Sequence, residues 1–211
     1  MKKSHERIAF RAGRNSIMIN VLLSAFKLFA GIIGNSAAMV ADAAHSMTDL
    51  LSTIIALAGI KLAGKKPDKD HPRGHQHYEG VATVILAIMI AIVGVSIGWA
   101  GMRMIISGQH QEMGVPGVLA AVAAVVSIGV KEAVYRYMRA VAKKVKSSAL
   151  MADAVHSRMD GLSSVGSLAG ILGARIGFPV LDSVAAVVIG LFILKAALDI
   201  LKRVPRRRGR R

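Results

Sequence analysis

Met39-Val-Ala-Asp42-Ala-Ala-His45-Ser-Met-Thr-Asp49-Leu-Leu-Ser52 occurs twice in this chain, returning as Leu150-Met-Ala-Asp153-Ala-Val-His156-Ser-Arg-Met-Asp160-Gly-Leu-Ser163. The Asp, His and Asp of the two copies are separated by a constant 111 residues (42 to 153, 45 to 156, 49 to 160). Four residues make about one helical turn, so each His shares a helix face with the Asp that follows it. Each copy can therefore offer one nitrogen and one oxygen ligand on the same side. Asp42 and Asp153, three residues before the His, are placed to orient it as outer carboxylates or to receive an ion in transit.

Both copies lie in apolar surroundings. About 20 apolar residues suffice to cross a bilayer as a helix, and six segments qualify: Ser16 to Ile33, Ala38 to Leu62, Val81 to Ile106, Val118 to Tyr135, Ala149 to Leu172 and Val180 to Leu201. The expected fold is an all-α membrane protein of six transmembrane helices. Three spans separate the two copies, so their helices run in opposite directions, as in an inverted-topology repeat. His45 then lies near the depth of Asp160, and Asp49 near His156. Four N/O ligands from two facing helices suit a tetrahedral site for a divalent transition ion. A lone buried His or Asp is more economically read as hydrogen-bonded to a neighbour. Charge at membrane depth is costly, however, and its recurrence at identical spacing favours a shared ion site.

Composition narrows the function classes. Of 211 residues 54% are hydrophobic and only 4% aromatic, yet the formal charge is +16, with 28 Lys+Arg against 12 Asp+Glu. The basic residues gather before the first span (Lys2, Lys3, Arg7, Arg11, Arg14), after the second, around the fourth-to-fifth connection and after the sixth. The three alternate connections hold only Arg175, with Arg103 nearby. This asymmetry places both termini in the cytoplasm of a multi-pass inner-membrane protein. It also argues against nucleic-acid binding, which needs basic residues on one exposed folded face. The absence of Cys excludes disulfides, thiolate metal sites and thiol nucleophiles. The organisation expected is a basic cytoplasmic N-terminus (1-15), a transport domain (16-201) with a cytoplasmic loop at 63-80, and a basic tail (202-211).

With these residues in view, the chain resembles the transmembrane domain of the cation diffusion facilitator family, proton-coupled exporters of zinc and related divalent metals. The resemblance rests on Asn20, Lys27 and Gly31, on Ser36 to Asp49, on Ser127-Ile-Gly-Val-Lys-Glu-Ala-Val-Tyr135, on Ala149 to Ser164, and on Leu181-Asp-Ser183. It implies that His45, Asp49, His156 and Asp160 form the transport site. Two His with two Asp imply zinc or cadmium as substrate, whereas manganese tends to go with carboxylates in place of His, a trend matching ligand chemistry. The resemblance also implies a second ion site in the loop Pro67-Asp-Lys-Asp-His-Pro-Arg-Gly-His-Gln-His-Tyr-Glu79, on Asp68, His71 and His75, with Asp70, His77 and Glu79 as extra candidates. Relatives usually carry a Lys or Arg where His77 stands, and they continue into a cytoplasmic C-terminal domain that this chain is expected to lack. A homodimer through the membrane region is the implied assembly.

The remaining residues receive plainer readings. Lys27 and Lys195 are expected to snorkel or pair with carboxylates. Arg158 lies about 200° around the helix from His156 and so faces away from the site. The 11 Met are dispersed and do not form a thioether path. Metal needs neutral His and ionised Asp, so the expected mechanism is mutual exclusion of metal and protons at one site, with no resident cofactor and no enzymatic chemistry. The alternatives are a metal-binding membrane scaffold or subunit that needs a partner for transport, and a channel. Tight four-ligand binding disfavours the channel.

Overall fold

A computed structural model describes residues 2–63, 77–109 and 114–203. Those residues form six helices and no strand: α1 Lys2–Ile33, α2 Ala37–Ala63, α3 His77–Ile106, α4 Val118–Val145, α5 Ser148–Arg175 and α6 Val180–Arg203. Four of the six, over Arg7–Ile33, Thr83–Ile106, Val118–Val145 and Val180–Lys202, are by length and composition able to cross a membrane. The helices carrying the Asp-His-Asp copies are the other two, because their polar residues dilute the apolar run.

Hydropathy marks where apolarity stops, not where a helix stops, and this shows at α1 and α4. The segments expected from Ser16 and to Tyr135 extend to Lys2 and Val145. Packing supports these extensions. Ala12, Val134 and Met138 bury themselves with Ala154 of α5 in one cluster, so the polar ends of α1 and α4 stay helical against a third helix.

Three of the connections use the same device. After α1, Ser36 N–H donates to Gly31 O (3.0 Å) and Asn35 N–H to Ile32 O (3.3 Å), with Asn35 at φ 46°. After α4, Ser147 and Lys146 donate in the same way to Ala142 and Lys143, with Lys146 at φ 54°. After α5, Phe178 and Gly177 donate to Gly173 and Ala174, with Gly177 at φ 110°. Each is a Schellman ending, which satisfies the last carbonyls and reverses the chain within a few residues. The start of α2 is finished from afar: Asp182 of α6 accepts from Ser36 Oγ (2.6 Å), Ala37 N (2.6 Å) and Ala38 N (3.3 Å). A carboxylate there satisfies two orphan N–H groups and complements the helix dipole.

Side-chain size sets the packing. One core joins α1, α2, α4 and α5 through Ala30, Ala38, Met39, Ala120, Ala123, Ala124 and Ile171. A second joins α2 to α3 and α6 through Ala41, Leu86, Ile90, Ala186, Ile189 and Ile193. Between α3 and α6 the backbones nearly touch. A Cβ on Gly190 would lie 2.7 Å from Gly98 N, and one on Gly94 would lie 2.9 Å from Leu194 N. Small residues that admit such approach are the usual means of helix association in lipid. Large apolar side chains such as Leu22, Ile92, Trp99, Leu191 and Phe192 point outward and remain exposed, as a surface facing acyl chains requires.

Candidate metal centre

The ligand atoms of His45, Asp49 and Asp160 lie within 4.8 Å of one another. The first two come from successive turns of α2 and the third from α5. His45 Nε2 stands 3.8 Å from Asp49 Oδ2. His45 Nδ1 is buried and has no hydrogen-bond partner among the described residues. An imidazole in that position, facing two carboxylates and holding no strong hydrogen bond of its own, is suited to receive a cation. The contacts between α2 and α5 run in the sense of opposed helices: Asp42 meets Ser163 and Ser164, while His45 and Asp49 meet Asp160 three to four residues earlier.

His156 is not part of this three-ligand group. Its Nε2 approaches Asp160 Oδ1 at 3.7 Å, but the side chain is 55% exposed, on the flank of α5. The structure thus gathers three of the four expected transport-site ligands and leaves the fourth touching only the edge of the group. Arg158 points elsewhere, as its periodicity requires. Its guanidinium lies 4.8 Å from the Tyr135 ring centroid, and its Nε is 3.8 Å from Glu132. Asp68, His71 and His75 lie outside the described residues, as does Asp70, and nothing is described of the side chains of His77 and Glu79.

The outer carboxylates differ from expectation. Asp42 does not orient His45. Its Oδ2 pairs with Lys27 Nζ at 2.8 Å, and its two oxygens accept from Ser163 (2.9 Å) and Ser164 (2.8 Å). The reason is competition: the fully buried Lys27 one helix away offers a charge-assisted contact that the His45 imidazole does not. Lys27 completes its donors on Ser46 Oγ (3.2 Å) and Ser164 Oγ (2.8 Å), so it pairs inside the bundle and does not snorkel. Asp153 accepts from Ser16 Oγ of α1 at 3.4 Å, and that is the bond it makes in place of one to His156.

A second buried lysine reaches the cluster itself. Lys131 Nζ of α4 lies 2.6 Å from Asp160 Oδ2 and donates to Asn20 Oδ1 of α1 at 2.7 Å. Lys131, part of the stretch Ser127 to Tyr135, lies well inside α4 and is buried. One signal could have found it. Asn20 and Lys131 are themselves 111 residues apart, the same step that relates the two Asp-His-Asp copies.

Residues 15–204 match the family model of the cation efflux transmembrane domain. An uncharacterized transporter of Methanocaldococcus jannaschii is 37% identical over 185 residues, 88% of this chain and 64% of the relative. The manganese efflux system protein MneS of Bacillus subtilis is 36% identical over 187 residues, 89% of this chain and 63% of the relative. The magnetosome protein MamB of a Magnetospira species is 31% identical over 185 residues, 88% and 62% respectively. The chain therefore spans somewhat less than two thirds of the length of these relatives.

Proposed function

Because the chain belongs to the cation efflux family, matching its transmembrane domain from residue 15 to 204, we propose that it exports divalent metal cations from the cytoplasm in exchange for protons, with zinc as principal substrate. The supporting observation is the convergence of His45, Asp49 and Asp160 from two helices of a multi-pass membrane protein. In this reading His156, whose Nε2 stands 3.7 Å from Asp160 Oδ1, is the fourth ligand and turns its imidazole into the cluster when the ion binds. Metal binding needs neutral imidazole and ionised carboxylate, and protonation of the same groups expels it. Exposing one such site alternately to the two faces of the membrane converts a proton gradient into metal export. Six spans, cytoplasmic termini and a homodimer complete this reading.

Mixed nitrogen and oxygen donors suit zinc, and cadmium by the same chemistry. Manganese is the second reading, since a relative at 36% identity is named a manganese efflux protein. Both are tested by reconstituting the purified chain in liposomes with an imposed pH gradient and a trapped indicator for each ion. The expected result is saturable, gradient-dependent zinc uptake that Asp49→Ala reduces to the level of protein-free vesicles. Manganese uptake without zinc uptake would move the assignment to manganese. Binding without flux of either ion would sink the exporter reading in favour of a metal-holding scaffold.

A further inference from the structure

We propose that Lys131 is the resident counter-cation of the metal site, occupying Asp160 when no metal is bound, so that an entering ion must displace its ammonium toward Asn20. The inference rests on the assignment of His45, Asp49 and Asp160 as metal ligands, and adds to it a residue that controls how tightly the ion is held.

Three observations carry it. The Lys131 ammonium is 2.6 Å from Asp160 Oδ2, a charge-assisted contact on a carboxylate that also belongs to the ligand group. Both side chains are almost wholly buried, so water screens their interaction little. The same ammonium already holds a neutral acceptor, Asn20 Oδ1, at 2.7 Å on a different helix. Lys131 can thus release Asp160 and keep a partner, which a lysine bonded to the carboxylate alone could not do.

An ion ligated by either oxygen of Asp160 would stand within about 7 Å of the Lys131 nitrogen, given bond lengths near 2.1 Å. Two positive centres that close in a poorly screened interior repel strongly. Lys27, the other buried lysine among the described residues, is held by Asp42, Ser46 and Ser164, so its charge is answered away from the cluster. Lys131 is therefore the cation whose position metal entry must change. Its repulsion weakens the bound ion, which a transporter needs in order to release its cargo on the far side.

The test is titration of the purified full chain with zinc and, separately, manganese by calorimetry, for the wild type, Lys131→Met, Lys131→Gln, Lys131→Arg and Asp49→Ala. Loss of the lysine charge is expected to tighten binding by roughly tenfold or more in both the Met and Gln variants. Lys131→Arg should stay near wild type. In liposomes the two neutral variants should lower KM and maximal rate together, because tighter holding slows release, a split that structural damage alone would not produce. Lys131→Gln keeps hydrogen-bonding capacity for Asn20 and serves if Lys131→Met fails to fold. Binding abolished by Asp49→Ala but unchanged or weakened in the neutral Lys131 variants would overturn the proposal, assigning Lys131 to holding Asp160 in place. Absence of any binding sensitive to Asp49→Ala, in every Lys131 background, would overturn the metal-site assignment and the inference with it.

Discussion

Among the described residues two lysines lie inside this bundle, and each is held by an aspartate of a different Asp-His-Asp copy. Lys27 takes the first aspartate of the first copy, Asp42, while Lys131 takes the last aspartate of the second, Asp160. The two copies are therefore alike in sequence and unlike in which aspartate a lysine engages, a difference that arises from α1 and α4. The Lys27 pair is fully buried on both sides. Removing one partner of such a pair typically costs about 3–5 kcal/mol, because a charge is left without its counterpart. Lys27→Met should accordingly lower the thermal unfolding midpoint markedly in a fixed detergent, and Lys27→Met combined with Asp42→Asn should recover much of the loss. Equal destabilisation in the single and double variants would show that the pair is not the source. Of these residues the sequence made the repeated carboxylates legible, through spacing alone. It did not reveal which carboxylate is already engaged, since that depends on lysines 15 and 29 residues away in sequence but adjacent in space.

At the scale of the helix, the order and approximate extent of all six elements were readable from apolar length, and the errors were one-sided. The ends of α1 and α4 run further than the hydropathy, because their continuation is justified by contact with Ala154 and its neighbours and not by any property of the segment itself. The cap that Asp182 places on α2 from the last helix was invisible for the same reason. Between α3 and α6 it is glycine that admits the close approach. A Cβ at position 190 would come within 2.7 Å of Gly98 N and 3.0 Å of Gly94 O, and backbone atoms cannot yield as a flexible side chain can. Gly190→Val should therefore cost about 1–3 kcal/mol by overpacking. Gly166→Ala, in α5 where nothing lies within 4 Å of the new methyl, should be neutral or slightly stabilising through helix propensity. Thermal melts of the two variants side by side decide the point. Similar losses in both would mean that the close approach of α3 and α6 is not what holds them.

At the scale of the whole molecule, the six-span arrangement proposed above puts the connection after α4 and the connection after α3 on opposite sides of the membrane. The chain contains no cysteine, so single cysteines report without interference. Lys144→Cys and Gln109→Cys, both at exposed positions, should react with a membrane-impermeant maleimide from opposite faces of sealed vesicles. Labelling of both from one face would refute the six-span arrangement. The whole also divides by task. The ligand cluster and both lysine bridges draw on α1, α2, α4 and α5, whereas α3 and α6 lie closely against each other along a seam of glycines. For descent with modification this separation matters. Substitutions along the seam are answerable across it: a larger residue arising on one helix survives where its mate has become smaller, so the facing positions of the seam are free to drift together while the ligand cluster on the other helices stays fixed.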